Sequence, residues 1–226
     1  MTRRGYLFFD LDGTIADSGA GITQSVNDMF AAVGAAPLTQ TEVRRIIGPP
    51  FQTTMPELLT ARGIDVARTT EFIHEYRRIY RQHHLPFTPV IEGMAEVVTR
   101  LAPHWHLSVV TAKPQVQADV AVKATGLDVH MVTVVGPADD APVHKSVLLR
   151  RALDDIVREH GEMPDLSRCW MIGDRHHDIE AGVQVGTRSA GVLWGFGDHD
   201  ELAGAGADVV LSEPHDLLSL LLSDGG

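Results

Sequence analysis

Short runs of β-branched and aromatic residues alternate along this chain with longer segments of helical period, and this alternation limits the fold more than any other feature. Six runs are typical of strands buried on both faces. They are residues 6–9, 107–110, 131–135, 170–172, 190–193 and 209–211. One helical stripe consists of Val147, Leu148, Ala152, Leu153 and Ile156. The alternation predicts an α/β fold with a Rossmann-like, doubly wound parallel sheet covered by helices on both sides.

Residues 17–88 break this alternation, because they contain helical patterns and no convincing strand. One of these patterns consists of Ile22, Val26, Met29, Phe30 and Val33. The segment returns through Leu85-Pro86-Phe87-Thr88-Pro89, whose prolines disfavour a helix. The sequence therefore predicts two parts, a Rossmann-like core of residues 1–16 and 89–226 and a helical insert of residues 17–88.

Composition and charge exclude several classes of function. The 226 residues are 44% apolar, which suffices for a substantial core. The formal net charge of −11 argues against nucleic-acid and anionic-membrane partners. Cys169 is the single cysteine, which excludes an intramolecular disulfide, and the apolar run before Asp10 is too short for a signal sequence or a membrane span. We expect a cytoplasmic protein, as a monomer or a homodimer.

Two carboxylates follow the first predicted strand directly. Asp10 and Asp12, in the sequence Asp10-Leu11-Asp12-Gly13-Thr14, fall where open α/β sheets bind ligands. Strand alternation places both on one side, and Gly13 permits a tight turn beside a bound group. Acids this close repel each other unless a cation or a shared proton compensates. An ordinary Asp-Gly surface turn is the alternative for these two residues alone.

Four more polar residues stand at strand ends or helix starts. Thr111 follows the second strand and offers a hydroxyl to a phosphate oxygen, and Lys145 offers an ammonium before a helical stripe. Asp174 follows the fourth strand, and Asp178 lies four residues later. Singly, these residues also suit a helix cap, a solvated face or a first-turn acid. Their combination and order favour a functional site.

In this order, these residues resemble the four motifs of the haloacid dehalogenase-like phosphatases. Residues 10–14 match the first motif, Thr111 the second, Lys145 the third, and residues 173–178 the fourth. A helical insert directly after the first motif is similar to the cap of the phosphoglycolate phosphatase-like branch. The fourth motif departs from many relatives, which carry Thr or Ser where Arg175 stands.

The resemblance implies a Mg²⁺-dependent phosphatase, a phosphoric monoester hydrolase acting on a small phosphorylated metabolite such as a phosphoglycolate-like ester. Asp10 would be the nucleophile that forms an aspartyl phosphate, and Asp12 the general acid and base. Asp10, Asp174 and the backbone carbonyl of Asp12 would bind Mg²⁺, with Asp178 in support. The phosphoryl oxygens would contact Thr111, Ala112 and Lys145.

The resemblance also suggests where the substrate is recognised. The segment Gly48-Pro49-Pro50 resembles the cap loop that faces the substrate in relatives. Candidates for specificity are Arg45, Gly48, Pro49 and Arg175, and a surface role is the alternative for both arginines. We interpret His176 and His177 as a solvated face or a helix-cap contact rather than as metal ligands, because adjacent residues at a helix start point in different directions.

Several related activities remain open. The substrates of a nucleoside monophosphate phosphatase, a pyrophosphatase or a sugar-phosphate mutase would all present a phosphoryl group to the same core. For the mutase, however, Ile22 stands roughly where β-phosphoglucomutase-like members carry histidine. Asp12 argues against a dehalogenase, and the lack of lysine in residues 17–90 argues against phosphonate cleavage through a Schiff base. A response-regulator receiver has no room for the insert. A catalytically inactive phosphometabolite-binding protein is the other non-enzyme alternative.

Overall fold

One parallel sheet forms the centre of the molecule. The computed structural model describes residues 3–138 and 143–223, and in this part of the chain the sheet has six strands. The strands are β1 Tyr6–Phe9, β2 His106–Val110, β3 Met131–Val135, β4 Cys169–Gly173, β5 Arg188–Val192 and β6 Val209–Leu211. Every neighbouring pair is parallel. The predicted α/β, Rossmann-like fold is therefore confirmed.

Strand β1 lies at the centre of the sheet, where the strand order reverses. The order is β3-β2-β1-β4-β5-β6, so the chain builds outward from β1 on one side and then from β4 on the other. Phe9 pairs with Val109 of β2 and with Ile172 of β4. The residues that follow these three strands consequently meet at one edge of the sheet, at the topological switch point where such folds bind ligands.

Helices cover both faces of the sheet and form the insert. Within the described ranges, the α-helices are α1 Gly19–Ala31, α2 Gln40–Ile46, α3 Phe51–Ala61, α4 Thr69–His83, α5 Met94–Leu101, α6 Gln115–Thr125, α7 Lys145–His160, α8 His176–Val185, α9 His199–Gly204 and α10 Asp216–Leu222. A capping box of Thr39 and Glu42 satisfies the first backbone N–H groups of α2. None of the helices in the described residues combines the length and apolar character needed to cross a membrane.

The sheet is buried on both faces at its centre. Leu7 and Phe9 belong to an apolar cluster that continues into the cap, where it includes Met55 and Leu59. Phe8 points to the other face, into a cluster with apolar residues of α7 and α8. The alternation along β1 therefore anchors the first motif from two sides.

Three details of burial correct the sequence-based expectations. The edge strands β3 and β6 are mostly half-buried, because each lacks a strand neighbour on one side. Val33 was expected on the inward stripe of α1, but this helix ends at Ala31 and Val33 is 48% exposed. Val147 is 47% exposed, because it is rotated by about 100° around α7 from the buried Leu148.

Helices α1 to α4 form the insert and stand together beside the edge of the sheet. Helix α4 packs against both α1 and α3. The two connecting segments run side by side, with a bridge between Ala16 and Val90 and a hydrogen bond of 2.9 Å from Asp17 N to Pro89 O. The chain thus leaves and re-enters the sheet region at one point. The assignment of residues 17–88 as a cap with a separate role stays a prediction.

Candidate active site

The ends of three neighbouring strands bring the first, second and fourth motifs together. Asp10 follows β1, Thr111 follows β2 and Asp174 follows β4. All three residues are buried. Because Leu7 to Phe9 pack on both faces of the sheet, the backbone that carries Asp10 is fixed before any ligand binds.

Three carboxylates form a buried cluster at this edge. Oxygen atoms of Asp10, Asp174 and Asp178 lie within 4.8 Å of one another. Asp10 Oδ1 accepts a hydrogen bond of 2.7 Å from the Leu11 backbone N–H. Asp174 accepts one of 3.2 Å from the Thr14 hydroxyl at Oδ1. The cluster therefore has a defined orientation set by the first-motif turn.

Lys145 supplies the positive charge at the cluster. It is the first residue of α7, and its Nζ lies 2.8 Å from Asp10 Oδ1 and also bonds Asp178 Oδ1. The other oxygen of Asp178 accepts from the Arg175 backbone N–H at 3.0 Å. Burial by itself would lower the pKa of Lys145, but the charges of Asp10 and Asp178 outweigh it and raise that pKa. Asp178 thus holds the ammonium beside Asp10.

The cluster has more negative than positive charge. Burial raises the pKa of Asp10 to about 7, although Lys145 opposes the shift. Burial, together with the charges of Asp10 and Asp178, raises the pKa of Asp174 to about 8. Hard carboxylate oxygens in a small buried volume are the donors that Mg²⁺ prefers. The residues therefore fit a divalent cation, which would relieve the repulsion that otherwise retains a proton.

Asp12 stands beside this cluster with different partners. The Ser18 hydroxyl donates to Asp12 Oδ1 at 2.5 Å, and Lys113 Nζ lies 3.0 Å from Asp12 Oδ2. The Asp12 side chain is 13% exposed. It borders a small cavity of about 50 Å³ that also reaches Asp10 and Thr111. Asp10 and Asp12 therefore share a cavity but not a set of contacts.

The cavity lies between the core and the cap. Gly48 and Pro49 line it, as does Ala112 from the core. The same three residues also line a larger neighbouring cavity of about 370 Å³, which Lys145 and His177 border. The structure therefore brings the predicted specificity loop to the predicted phosphate-binding residues.

The two arginines considered for specificity lie in different surroundings. Arg175 donates from Nη1 to the backbone carbonyl of Ile47 at 2.6 Å and from Nε to Glu201 at 2.8 Å. A Cβ at Gly48, where φ is +103°, would lie 3.0 Å from Arg175 Cγ. Arg45 instead pairs with Glu57 on an exposed surface. Arg175 thus contacts the cap backbone, and the structure does not bring Arg45 to the cavity.

His176 and His177 begin α8 next to the fourth motif. His176 Nδ1 lies 2.8 Å from Glu201, and the His176 backbone N–H donates to the same carboxylate at 2.9 Å. Donor atoms of both histidines and Glu180 lie within 4.8 Å of one another. Burial lowers the pKa of His177 to about 4, with smaller contributions from neighbouring cations. Glu201 accounts for the contacts of His176, and its interpretation as a helix-cap contact stays a prediction.

The structure adds residues that the motifs did not include. Lys113 and Ser18 bind Asp12, and the Phe196 backbone N–H donates to Asp174 Oδ2 at 2.8 Å. A Cβ at Gly195 would lie 2.4 Å from the Asp174 side chain, so only glycine allows this approach. A Gly-Phe-Gly sequence after a strand indicates a tight loop, but its contact with Asp174 depends on the tertiary fold.

The chain resembles known proteins in sequence and in fold. Residues 7–192 match the family model of the haloacid dehalogenase-like hydrolases. A 5'-nucleotidase of Pseudomonas aeruginosa is 34% identical over 200 residues, which cover 87% of this chain and 86% of that protein. Pyrophosphatase PpaX of Anoxybacillus flavithermus is 29% identical over 224 residues, 95% of each chain. A crystal structure of a predicted phosphatase from Clostridium acetobutylicum superposes with a TM-score of 0.84 at 26% identity, covering 98% of this chain and 99% of that one.

Proposed function

This chain belongs to the haloacid dehalogenase-like hydrolase family, and from this premise we propose that it is a Mg²⁺-dependent phosphatase of a small phosphorylated metabolite. It is a phosphoric monoester hydrolase, as the phosphatase names of its relatives support. We further propose that the enzyme uses Mg²⁺, forms an aspartyl phosphate and acts on a small substrate. We place the enzyme in the cytoplasm, as a monomer or a homodimer, on the basis of its composition.

The observation that carries the proposal is the fixed position of the Asp10 carboxylate. Oδ1 is held by the Leu11 N–H at 2.7 Å and by Lys145 at 2.8 Å. Because both of these contacts are made to Oδ1, we assign the attack on phosphorus to Oδ2 of Asp10. The carboxylate stands at a cavity that Thr111 and Ala112 also border, where a phosphoryl group would lie.

Two displacements complete the reaction. In the first, an Asp10 oxygen bonds to phosphorus while the bond from phosphorus to the leaving oxygen breaks, and Asp12 gives that oxygen a proton. In the second, water attacks the phosphorus of the aspartyl phosphate, Asp12 takes a proton from the water, and the bond to Asp10 breaks. Lys145 and the Thr111 hydroxyl stabilise the charge on the phosphoryl oxygens in both steps.

The carboxylates would hold the cation next to the nucleophile. Asp10, Asp174 and the backbone carbonyl of Asp12 are the proposed ligands, and Asp178 supports them through Lys145. Mg²⁺, when bound, supplies positive charge that offsets the repulsion between the nucleophile and the phosphate. The chain's own contribution is to fix Asp174, through the Thr14 hydroxyl and the Phe196 N–H.

We favour a small leaving group, such as that of a phosphoglycolate-like ester, because the cap residues Gly48 and Pro49 line the same cavity as Asp10 and Asp12. A nucleoside monophosphate is the second candidate, because the Pseudomonas aeruginosa relative is a 5'-nucleotidase and the adjoining cavity of about 370 Å³ offers more space. Pyrophosphate and sugar phosphates are the remaining candidates, and phosphate binding without turnover is the non-enzyme alternative.

A panel of phosphorylated metabolites tests the proposal directly. We expect kcat/KM in the presence of Mg²⁺ to be highest for a small phosphomonoester, and turnover to vanish with a chelator. A nucleoside monophosphate as the best substrate would retain the phosphatase but replace the substrate class. Binding of phosphorylated compounds without turnover of any of them would support the inactive binding protein.

A further inference from the structure

Lys113 contacts both the core and the cap, although it belongs to none of the four motifs. Its side chain is buried, and Nζ lies 3.0 Å from Asp12 Oδ2. The same ammonium donates to the Tyr80 hydroxyl at 3.4 Å and lies 4.8 Å from the centre of the Tyr80 ring. Tyr80 is a buried residue of the cap helix α4. One side chain therefore connects the proposed general acid and base to the cap.

The Asp12 carboxyl is held at both of its oxygens. Lys113 contacts Oδ2, and the Ser18 hydroxyl donates to Oδ1 at 2.5 Å. Ser18 immediately precedes α1, the first helix of the cap. Rotation of the carboxyl about its Cβ–Cγ bond would break one contact or both. The orientation of Asp12 thus depends on a core lysine and on the segment that enters the cap.

We propose that Lys113 is a positioning residue, which sets the orientation of the Asp12 carboxyl and links that orientation to the cap through Tyr80. This inference rests on the proposed function, because it acts through the acid–base role of Asp12. Proton transfer requires the carboxyl within hydrogen-bond reach of the leaving oxygen, and a displacement of about 1 Å costs about 10²-fold in rate. Movement of α4 would change the contacts of Lys113, and with them the position of Asp12.

Lys113→Met tests this role, because it removes the ammonium and keeps an unbranched side chain. We compare kcat/KM, which reports the first displacement and not the later attack by water, and expect it to fall by about 10²-fold for an alkyl phosphate. For p-nitrophenyl phosphate, whose leaving group needs little protonation, the fall in kcat/KM should be within about threefold. The matched control is Lys123→Met, at an exposed position of α6, which should leave both values unchanged.

Tyr80→Phe tests the link to the cap and covers the case in which Lys113→Met does not fold. It removes the hydroxyl and keeps the ring over the ammonium. We expect an intermediate loss, confined again to alkyl phosphates. The double variant should lose no more than Lys113→Met alone, because the hydroxyl acts through Lys113. If the losses of the two single variants instead multiplied in the double variant, the link from Lys113 to the cap through Tyr80 would be overturned.

Two results would overturn the positioning role. An equal loss for alkyl and nitrophenyl esters would make Lys113 a structural ion pair only. A rise in KM confined to substrates with an anionic leaving group would make it a substrate ligand. Rapid-quench mass spectrometry separates these failures from failure of the proposed function. If wild-type Asp10 is never phosphorylated, the proposed function fails. If Asp10 is phosphorylated and the variants show no leaving-group dependence, only the inference on Lys113 fails.

Discussion

The core and the cap bring their functional residues into place by different means. In the core, Asp10, Thr111 and Asp174 each follow a strand of one parallel sheet, so their positions in the sequence determine where they meet. In the cap, the polar contacts with the core include those of the Arg44 and Ile47 carbonyls and of Tyr80, and none of these residues belongs to a motif. This difference supports our proposal that the core fixes the chemistry, whereas the cap adjusts access and alignment.

The largest effect is expected from loss of a core carboxylate that no cap residue can replace. Asp174→Asn keeps the acceptor oxygen for Phe196 N–H but loses the negative charge for a cation, so turnover of every substrate should vanish. Chelation should have the same effect on the wild type, with Mg²⁺ restoring activity and Ca²⁺ restoring it poorly because of its looser shell. The measurement is kcat for several phosphate esters, with the exposed Asp154→Asn as control.

Full activity after exhaustive chelation would contradict this prediction, and so would a strict requirement for zinc. Full activity without a metal would also weaken the contrast between core and cap, since the buried carboxylates would then have no role in binding a cation.

Asp12→Asn should produce the next largest effect and should depend on the leaving group. The variant keeps Asp10 and the backbone carbonyl at position 12 but removes the proton donor, so turnover of alkyl phosphates should fall by about 10²–10⁴-fold. Acetyl phosphate, whose leaving group needs little protonation, should still phosphorylate Asp10. Steady-state rates with the alkyl esters and rapid-quench mass spectrometry with acetyl phosphate check this, and unchanged turnover of the alkyl esters would refute the role of Asp12.

The stability of the metal-free protein should decrease as the pH rises. Burial raises the pKa of Asp10 to about 7 and of Asp174 to about 8, so between about pH 4 and pH 8 the folded state binds more protons than the unfolded state. Without metal, Tm should therefore fall from pH 5.5 to pH 8.5. The rise in Tm on adding Mg²⁺ should be larger at pH 8.5, where the cation does not compete with protons.

Thermal unfolding at the two pH values, with and without Mg²⁺, gives this comparison. Asp174→Asn should flatten the pH dependence, because one of the two titrating carboxyls is absent. An equal Mg²⁺ effect at both pH values would mean that the cluster retains no proton.

A smaller effect is expected where the core binds the cap backbone. Arg175→Ala removes the donors to the Arg44 and Ile47 carbonyls and to Glu201 and leaves the backbone N–H that binds Asp178. KM should therefore rise by at least about tenfold, the equivalent of one charged hydrogen bond. The change in kcat should be smaller. A common loss in kcat for all substrates, without a change in KM, would instead assign Arg175 to the chemistry of the core.

The smallest effect is expected from Arg45→Ala. Arg45 pairs with Glu57 on the exposed surface, and such pairs contribute about 0.5 kcal/mol. Kinetic constants for all substrates should therefore stay within about twofold of wild type, a range set by that energy. A changed order of substrates in this variant would restore the sequence-based assignment of Arg45 to specificity.

Sequence periodicity was enough to predict the sheet and the residues at its edge, because apolar strands and their end points follow local rules. The contacts of Arg175 and Lys113 were not predictable, since they depend on how α2 and α4 pack against the core. Arg45 and Arg175 illustrate the limit: both are arginines near a motif, and only the fold separates a solvated pair from a contact with the cap. The role of Phe196 is likewise a backbone contact that no side-chain pattern encodes.

The covalent intermediate on Asp10 is the most direct test of the account. Wild-type protein with Mg²⁺ is mixed with acetyl phosphate, quenched in acid within the first turnovers, and its intact mass and peptides are measured. We predict one added phosphoryl group per chain, located on Asp10 and absent from Asp10→Asn. Phosphate on another residue would contradict the proposed mechanism. So would rapid turnover of acetyl phosphate with no phosphorylated protein detected in either the wild type or Asp12→Asn.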